Sequence, residues 1–251
     1  MSVAHLPEVV SPDEWLAARK QLLQREKEFT RARDALSADR RRLPMVRIDK
    51  DYRFTGPDGE VELRDLFGDR QQLLLQHFMF DPAWDRPCSS CSMMADSMSE
   101  PVVAALRRRN TRYVAVSRAP YPQLQRWAET RGWTFPWYSS FGSDFNFDFH
   151  VTIDASIAPV EYNYRGQAEL EAADIAWRNW SGEQPGISCF VRDGDKAFHT
   201  YSTFGRGVEA MMPAYSLLDL TALGRQEVGE EPAGRAAVVY PADPALPAAP
   251  C

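Results

Sequence analysis

Long apolar runs are missing from this 251-residue chain, and none approaches the ~20 residues that would span a bilayer. The opening stretch, MSVAHLPEVVSPDEW, lacks the basic and then apolar pattern of a signal peptide, so the expected location is cytoplasmic with no membrane partner. Cysteine is scarce. Four in so long a chain cannot form a disulfide scaffold, and each has to be judged for its chemistry. Histidine is equally scarce at four, and neither a second C-x-x-C nor a spaced His pair accompanies the first C-x-x-C. Only the fold could gather Cys189, His77, His150 and His199 around zinc, so no metal and no other cofactor is expected. A net charge of -6 argues against a nucleic-acid surface over the whole chain. No internal repeat is visible. What is present, 44% hydrophobic residues and 29 aromatics, suits a soluble packed protein with one main domain.

Charge is distributed unevenly. Residues 19–50 carry eleven Lys or Arg against five acids, which leaves the remainder of the chain at -12. The stretch follows Ser11-Pro12-Asp13-Glu14, a capping-box start with Pro at the first helical position. A helix is expected from here to Pro44 at the latest, docked through a stripe of Trp15, Leu16, Leu22, Leu23, Phe29 and Leu36 and solvated elsewhere. An anion-binding or partner-binding arm containing Arg40, Arg41 and Arg42 is the alternative. From Met45 the period changes to two. Val46, Ile48, Tyr52 and Phe54, the turn Gly56-Pro57-Asp58-Gly59, and Val61 with Leu63 read as a hairpin. Gln71–Phe80 (QQLLLQHFMF) reads as a strand covered on both faces. Residues from Cys88 to about Arg109 read as a helix, kinked at Pro101. Thr111–Ser117 is a second buried strand, and Pro120 opens a helix that stops at Gly132. Strand, helix, strand and helix in this order specify a βαβα unit with parallel pairing. A helix is expected at about 167–180, a hairpin around Asp193-Gly194-Asp195, and a last helix from about Gly207 to Leu218.

Cys88-Ser89-Ser90-Cys91 falls after a buried strand, at the first turn of a helix. Free N–H groups and the positive end of the helix dipole favour thiolate over thiol there, most of all for Cys88. Cys91, one turn on, can reach back to resolve a mixed disulfide formed by Cys88. Two inert buried thiols are the competing reading. Cys189, in the strand ISCFV, reads as a core thiol, and Cys251 as incidental.

The succession YRFTGPDGEVELRDLF, QQLLLQHFMF, CSSC, TRYVAVSRAP and GWTFPW resembles the thioredoxin superfamily, closest to its peroxiredoxin-like branch. RRRLPMV, FMFDPAWDRPCSSCS, VAVSRAP, FPWYSSFGSDFNFDF, FHTYSTFGRG and LLDLTALGRQE look like the bacterial thioredoxin-like proteins of domain-of-unknown-function family 899, over about residues 11–229. The resemblance implies a thioredoxin-like α/β fold with an N-terminal helical extension, an N-terminal hairpin and an aromatic-rich insertion. The expected division is an arm over 1–44, the thioredoxin-like domain over 45–229 with the insertion at about 137–184, and an irregular Pro/Ala-rich tail over 230–251. Cys88 matches the superfamily's attacking thiol and Cys91 its resolving thiol. Pro185 is the favoured counterpart, ahead of Pro136, of the proline that many thioredoxins hold in cis opposite the disulfide.

Residues 133–149 hold eight aromatics, which read first as core. The alternative is a substrate groove walled by Trp137, Tyr138 or Phe145, with Asp144, Asn146 and Asp148 as polar contacts and Trp84 in the loop ahead of the cysteines. His77, inside the central strand, could approach the cysteines. Arg118 follows a parallel strand at its C-terminal end, where it could stabilise a thiolate or bind an anion. The expected activity is thiol-disulfide exchange with a thiol or disulfide substrate and a cellular reductant. Peroxide reduction through a Cys88 sulfenic acid is a close variant, a non-catalytic binding module is the alternative class, and a homo-oligomer is left open.

Overall fold

The computed structural model describes residues 6–173, 181–226 and 231–232. They fall into two compact units, one holding the residues up to Pro44 together with those from Ala214, the other holding Met45–Pro213.

In the first unit α1 spans Pro12–Arg40. Ser11 caps it as its sequence dictates: the Glu14 N–H donates to Ser11 Oγ at 3.3 Å, and the Ser11 N–H donates to Glu14 Oε2 at 2.9 Å. No residue of α1 is buried, so its apolar stripe does not dock as expected. The unit also contains the last helix, α7 (Pro213–Leu218), apart from its first residue.

The second unit is built on an eight-stranded sheet. Along the chain come β1 (Val46–Ile48), β2 (Arg53–Gly56), β3 (Gly59–Glu62), β4 (Gln72–His77), α2 (Ser89–Ser97), α3 (Glu100–Arg107), β5 (Thr111–Ser117), α4 (Tyr121–Arg131) and β6 (Trp137–Ser139). Then follow α5 (Phe145–Asp148), β7 (Thr152–Ile153), β8 (Glu161–Tyr162), β9 (Arg165–Gly166), α6 (Gln167–Ala172), β10 (Gly182–Glu183), β11 (Gly186–Asp193) and β12 (Lys196–Phe204). The sheet order is β1-β12-β11-β4-β5-β6-β2-β3, with β4, β5 and β6 parallel and β11 antiparallel to β4 and to β12. The four central strands β12-β11-β4-β5, with the α2–α3 crossover between the parallel pair, form the thioredoxin arrangement. The fold is the expected mixed α/β class.

Several local expectations need correction. The hairpin consists of β2 and β3 alone, turning at Pro57-Asp58. Val46–Ile48 pairs instead with β12 at the opposite edge of the sheet. The Cys88–Arg109 helix is two helices, because Ser99-Glu100-Pro101 is itself a helix start: Ser99 takes the N-cap position, and Pro101 lies in the first turn where its missing N–H costs nothing. The last helix is likewise broken, a 3-10 segment over Gly205–Met211 preceding α7 at Pro213. Of the helix expected at 167–180 the structure has α6, and residues 174–180 lie outside the described residues. Gly56 is required by close approach, since a Cβ there would collide with the Tyr138 ring.

Strand pairing puts in-register residues on one face of the sheet. Leu74, Gln76, Tyr113, Ala115 and Trp137 share the face that carries α2. Leu75, His77, Val114, Val116 and Tyr138 share the other, which packs against Phe145, Phe149 and Val151 in the main hydrophobic cluster.

Candidate functional site at the dithiol helix

Cys88 occupies the N-cap position of α2, with the extended ψ of 131° that lets its carbonyl accept the first helical hydrogen bond, from the Ser92 N–H at 3.0 Å. Ser92 Oγ donates to the same carbonyl at 2.9 Å, and the Cys88 N–H donates to the carbonyl of Met79, just beyond β4, at 3.1 Å. The N-cap is thereby tied to the C-terminal end of the central strand. Cys91 is the third helical residue. No disulfide joins the two, and both are buried, Cys88 at 2% exposure and Cys91 at 0%. Burial of Cys88 is the main departure from an open dithiol.

Beneath the helix, Gln76 of β4 donates from Nε2 to the Cys91 carbonyl at 3.2 Å, and the Tyr113 hydroxyl of β5 donates to Gln76 Oε1. Gln76 is fully buried and Tyr113 nearly so. Burial, and secondarily the nearby Cys91, pushes the Tyr113 phenol far up, so it stays a neutral donor. A buried amide needs partners for both ends, and this one links strand, phenol and dithiol helix.

At the C-terminal edge of the parallel strands, Arg118 lies between two carboxylates. It reaches Asp81 Oδ2 at 3.2 Å through one terminal nitrogen and Glu183 Oε1 at 3.2 Å through Nε, and its guanidinium carbon sits 5.3 Å from the Phe147 ring centroid. Its charge is thus engaged by two carboxylates of the protein rather than solvated alone. Glu183 is buried and also accepts from Thr152 Oγ1 at 2.9 Å and Asn146 Nδ2 at 3.1 Å. Burial raises its carboxyl to about 7, only partly offset by Arg118. Asp81 in turn organises the loop before Cys88, accepting from the N–H groups of Ala83 and Trp84. Arg118 therefore ties the loop bearing Trp84, itself half-buried, to the segment Glu183-Gln184-Pro185.

Pro185 stands immediately before Gly186, which pairs with His77 at the end of β4. Its peptide bond is not the cis bond that the resemblance implies, because among the described residues only Glu231-Pro232 is cis. The aromatic groove is corrected outright. Trp137 is 3% exposed, packs on Phe78 at 4.6 Å between centroids and donates from Nε1 to Ser117 Oγ at 2.9 Å. Tyr138 is buried on the opposite face, where Arg112 donates to its hydroxyl at 3.2 Å. The two point away from each other because neighbours in a strand alternate, so both serve the core. Asp144 and Asp148 pair with Lys50 at 2.9 and 2.6 Å.

His77 faces away from the cysteines. It heads a buried chain of three 2.7 Å hydrogen bonds: His77 Nε2 to Ser188 Oγ, Ser188 Oγ to Ser202 Oγ, and Ser202 Oγ to His199 Nε2. Two hydroxyls supply two protons for three bonds, so one imidazole must donate and the other accept. Burial lowers His77 to about 3, with a smaller effect from His199, so it is neutral. Sequence reasoning missed this chain, and it also missed Gln76, Tyr113, Asp81 and Glu183. The signal for the first pair was the adjacent Gln76-His77 inside an apolar strand, which must find one polar partner on each face.

Cys189 is half-buried, and burial pushes its thiol up to about 11, so it stays protonated at neutral pH. Cys251 lies outside the described residues. Among those residues no cluster of three or more His, Cys, Asp or Glu could hold a metal ion, and no helix is long and apolar enough to cross a membrane.

Among solved structures, the chain is similar to a Xanthomonas campestris peroxiredoxin Q mutant (13% identity, 66% of this chain and 90% of that one, TM-score 0.40). It is also similar to Enterococcus faecalis AhpC (14%, 68% and 90%, TM-score 0.42) and to reduced Plasmodium vivax 2-Cys peroxiredoxin (14%, 70% and 94%, TM-score 0.40). No curated protein matches it. The family model described as "Bacterial protein of unknown function (DUF899)" matches residues 4–240, and the chain belongs to that family.

Proposed function

We propose that the protein is a thiol-disulfide oxidoreductase using the Cys88-x-x-Cys91 dithiol. The observation that carries this reading is the position of the two cysteines at the N-cap and first turn of a helix whose start is fixed to the central strand. The positive end of the helix dipole stabilises a Cys88 thiolate. That thiolate attacks one sulfur of a substrate disulfide, forming a mixed disulfide and releasing the other sulfur as a thiolate. Cys91 then attacks Cys88 Sγ, closing the Cys88–Cys91 disulfide and releasing the second thiolate. The substrate gains two electrons, its thiolates take up the two protons given up by the cysteines, and an external dithiol re-reduces the pair.

The burial of Cys88 favours a second reading, peroxide reduction, because a small oxidant needs less opening than a peptide disulfide. There the thiolate takes one peroxide oxygen to become a sulfenic acid, an alcohol or water leaves, and Cys91 condenses with it to give the same disulfide and water.

The test is mass-spectrometric thiol counting after oxidised glutathione or hydrogen peroxide. The expected result is a mass loss of two hydrogens mapped to Cys88–Cys91, a trapped mixed disulfide on Cys88 in Cys91→Ser, and no reaction at Cys91 in Cys88→Ser. Cysteines 88 and 91 that stay reduced and unmodified under both oxidants would leave the binding-module class.

A further inference from the structure

Helix α1 carries Trp15, Leu22, Phe29 and Leu36 at an unbroken spacing of seven, and all four are exposed, from 47% at Leu22 to 68% at Phe29. Leu16 and Leu23, also exposed, widen the stripe at its N-terminal half. A seven-residue apolar repeat drifts by about 20° per heptad on a straight helix, so a stripe of this kind stays in contact with a partner only if the two helices wind around each other. We propose that α1 pairs in antiparallel orientation with α1 of a second copy of this chain, forming a short two-stranded coiled coil.

Three features select that occupant. The first is charge: Asp13 and Glu14 stand at the start of the helix and Arg40, Arg41 and Arg42 at its end. A parallel pair would set three arginines against three arginines, whereas the antiparallel pair sets each acidic start beside a basic end. The second is size. Ala18 and Ala32 follow Trp15 and Phe29 by three residues, the positions that complete the seam, and offer small side chains against which a partner's large ones can lie. Arg25 and Asp39 hold the same positions in the other two heptads and keep the seam from being wholly apolar. The third is area. The six exposed apolar side chains together present roughly 600 Å² per helix, so the pair reaches the lower end of the roughly 1,200–2,000 Å² of a specific interface. A membrane surface fits less well, because α1 has six acids to seven bases and little net charge to hold it at anionic lipid.

Light scattering on the full chain during size exclusion reads the proposal directly. The expected mass is twice the 28.5 kDa of one chain. Leu22→Glu combined with Phe29→Glu halves it at unchanged circular dichroism, since both residues are exposed in the protomer. Orientation is read by mixing Ala18→Cys with Leu36→Cys protein under mild oxidation and mapping the crosslinks: the antiparallel pair, with Ala18 lying against the partner's Leu36, gives the mixed 18–36 disulfide. Two Ala18→Cys chains would then lie about 27 Å apart along the axis, beyond disulfide reach. A wild-type chain that is monomeric, alone or on phosphatidylserine vesicles, overturns the proposal. So does a double variant that keeps the doubled mass, or an Ala18→Cys chain that crosslinks to itself.

Discussion

Adjacent residues of one strand, Gln76 and His77, open onto two different environments. On the dithiol face Gln76 is part of a short polar link whose far end is a backbone carbonyl of the cysteine helix. On the aromatic face His77 lies between Phe145 and Phe149, at 5.6 and 5.7 Å between centroids, and its hydrogen bonding runs sideways along the sheet into β11 and β12. The first face positions thiols and the second holds the sheet together. An aromatic-rich insertion near a candidate active site is therefore no evidence of a substrate groove, because a wide sheet needs that much ring area to cover it.

The largest effect that would sharpen this contrast comes from Phe145→Ala. The ring is fully buried and stacks or abuts Tyr52, Phe54, Phe149 and His77 at 4.5–5.6 Å. Truncation should cost about 3–5 kcal/mol in urea unfolding. The rate at which folded protein reacts at Cys88 should stay at the wild-type value. A changed thiol rate at unchanged fold would join the two faces functionally.

The fold was legible wherever one kind of signal ran long enough. The buried strands 72–77 and 111–117, the Pro120 helix start and the Gly132 stop all follow from local chemistry, and so do the parallel pairing and the dithiol at a helix N-terminus. What escaped was non-local. Val46–Ile48 has the same two-residue period whichever strand it joins, and its choice of β12 over β2 is made by the sheet edge left open on the far side. Glu183 illustrates the same limit in the site. Nothing in Ser-Gly-Glu-Gln-Pro tells that its carboxylate is buried on Arg118, because Arg118, Asn146 and Thr152 reach it from separate segments.

Glu183 supplies the next prediction, a pH profile. Its folded carboxyl is raised to about 7 against 4.5, so the folded chain holds this proton over a range where the unfolded chain has lost it. Its contribution to stability is fully present below pH 4.5 and is lost as pH rises through about 7, a decline on the order of 3 kcal/mol. His77 acts in the opposite sense. Lowered to about 3 from 6.5, it contributes stability present above pH 6.5 and lost as pH falls toward 3. Glu183→Gln should flatten the loss between pH 5 and 8 while leaving the acid limb intact. An unchanged slope in urea midpoints across that range would show that the carboxylate is not the group titrating.

On the dithiol face, Tyr113→Phe deletes one hydroxyl and leaves the buried Gln76 oxygen without its donor, at a cost of about 1–3 kcal/mol. Because Gln76 holds the Cys91 carbonyl, the variant should also slow closure of the mixed disulfide by Cys91 relative to attack by Cys88, read as longer-lived Cys88 adduct in stopped-time trapping. A stability loss with the partition between adduct and disulfide unchanged would make the phenol merely structural.

The smallest effect belongs to the third described cysteine. Cys189 lies on β11, registered with Leu74 of β4 on the same side of the sheet as the dithiol, but in a setting that raises its thiol to about 11. Shared face alone does not equate the two thiols: Cys88 is the N-cap of a helix, while Cys189 has a strand on either side. Cys189→Ala should shift stability by less than about 1.5 kcal/mol and leave oxidant-driven loss of thiols at two per chain. If the variant instead abolished disulfide formation between Cys88 and Cys91, the exchange would have to pass through β11, and the division between a thiol-positioning helix and an inert sheet would fall.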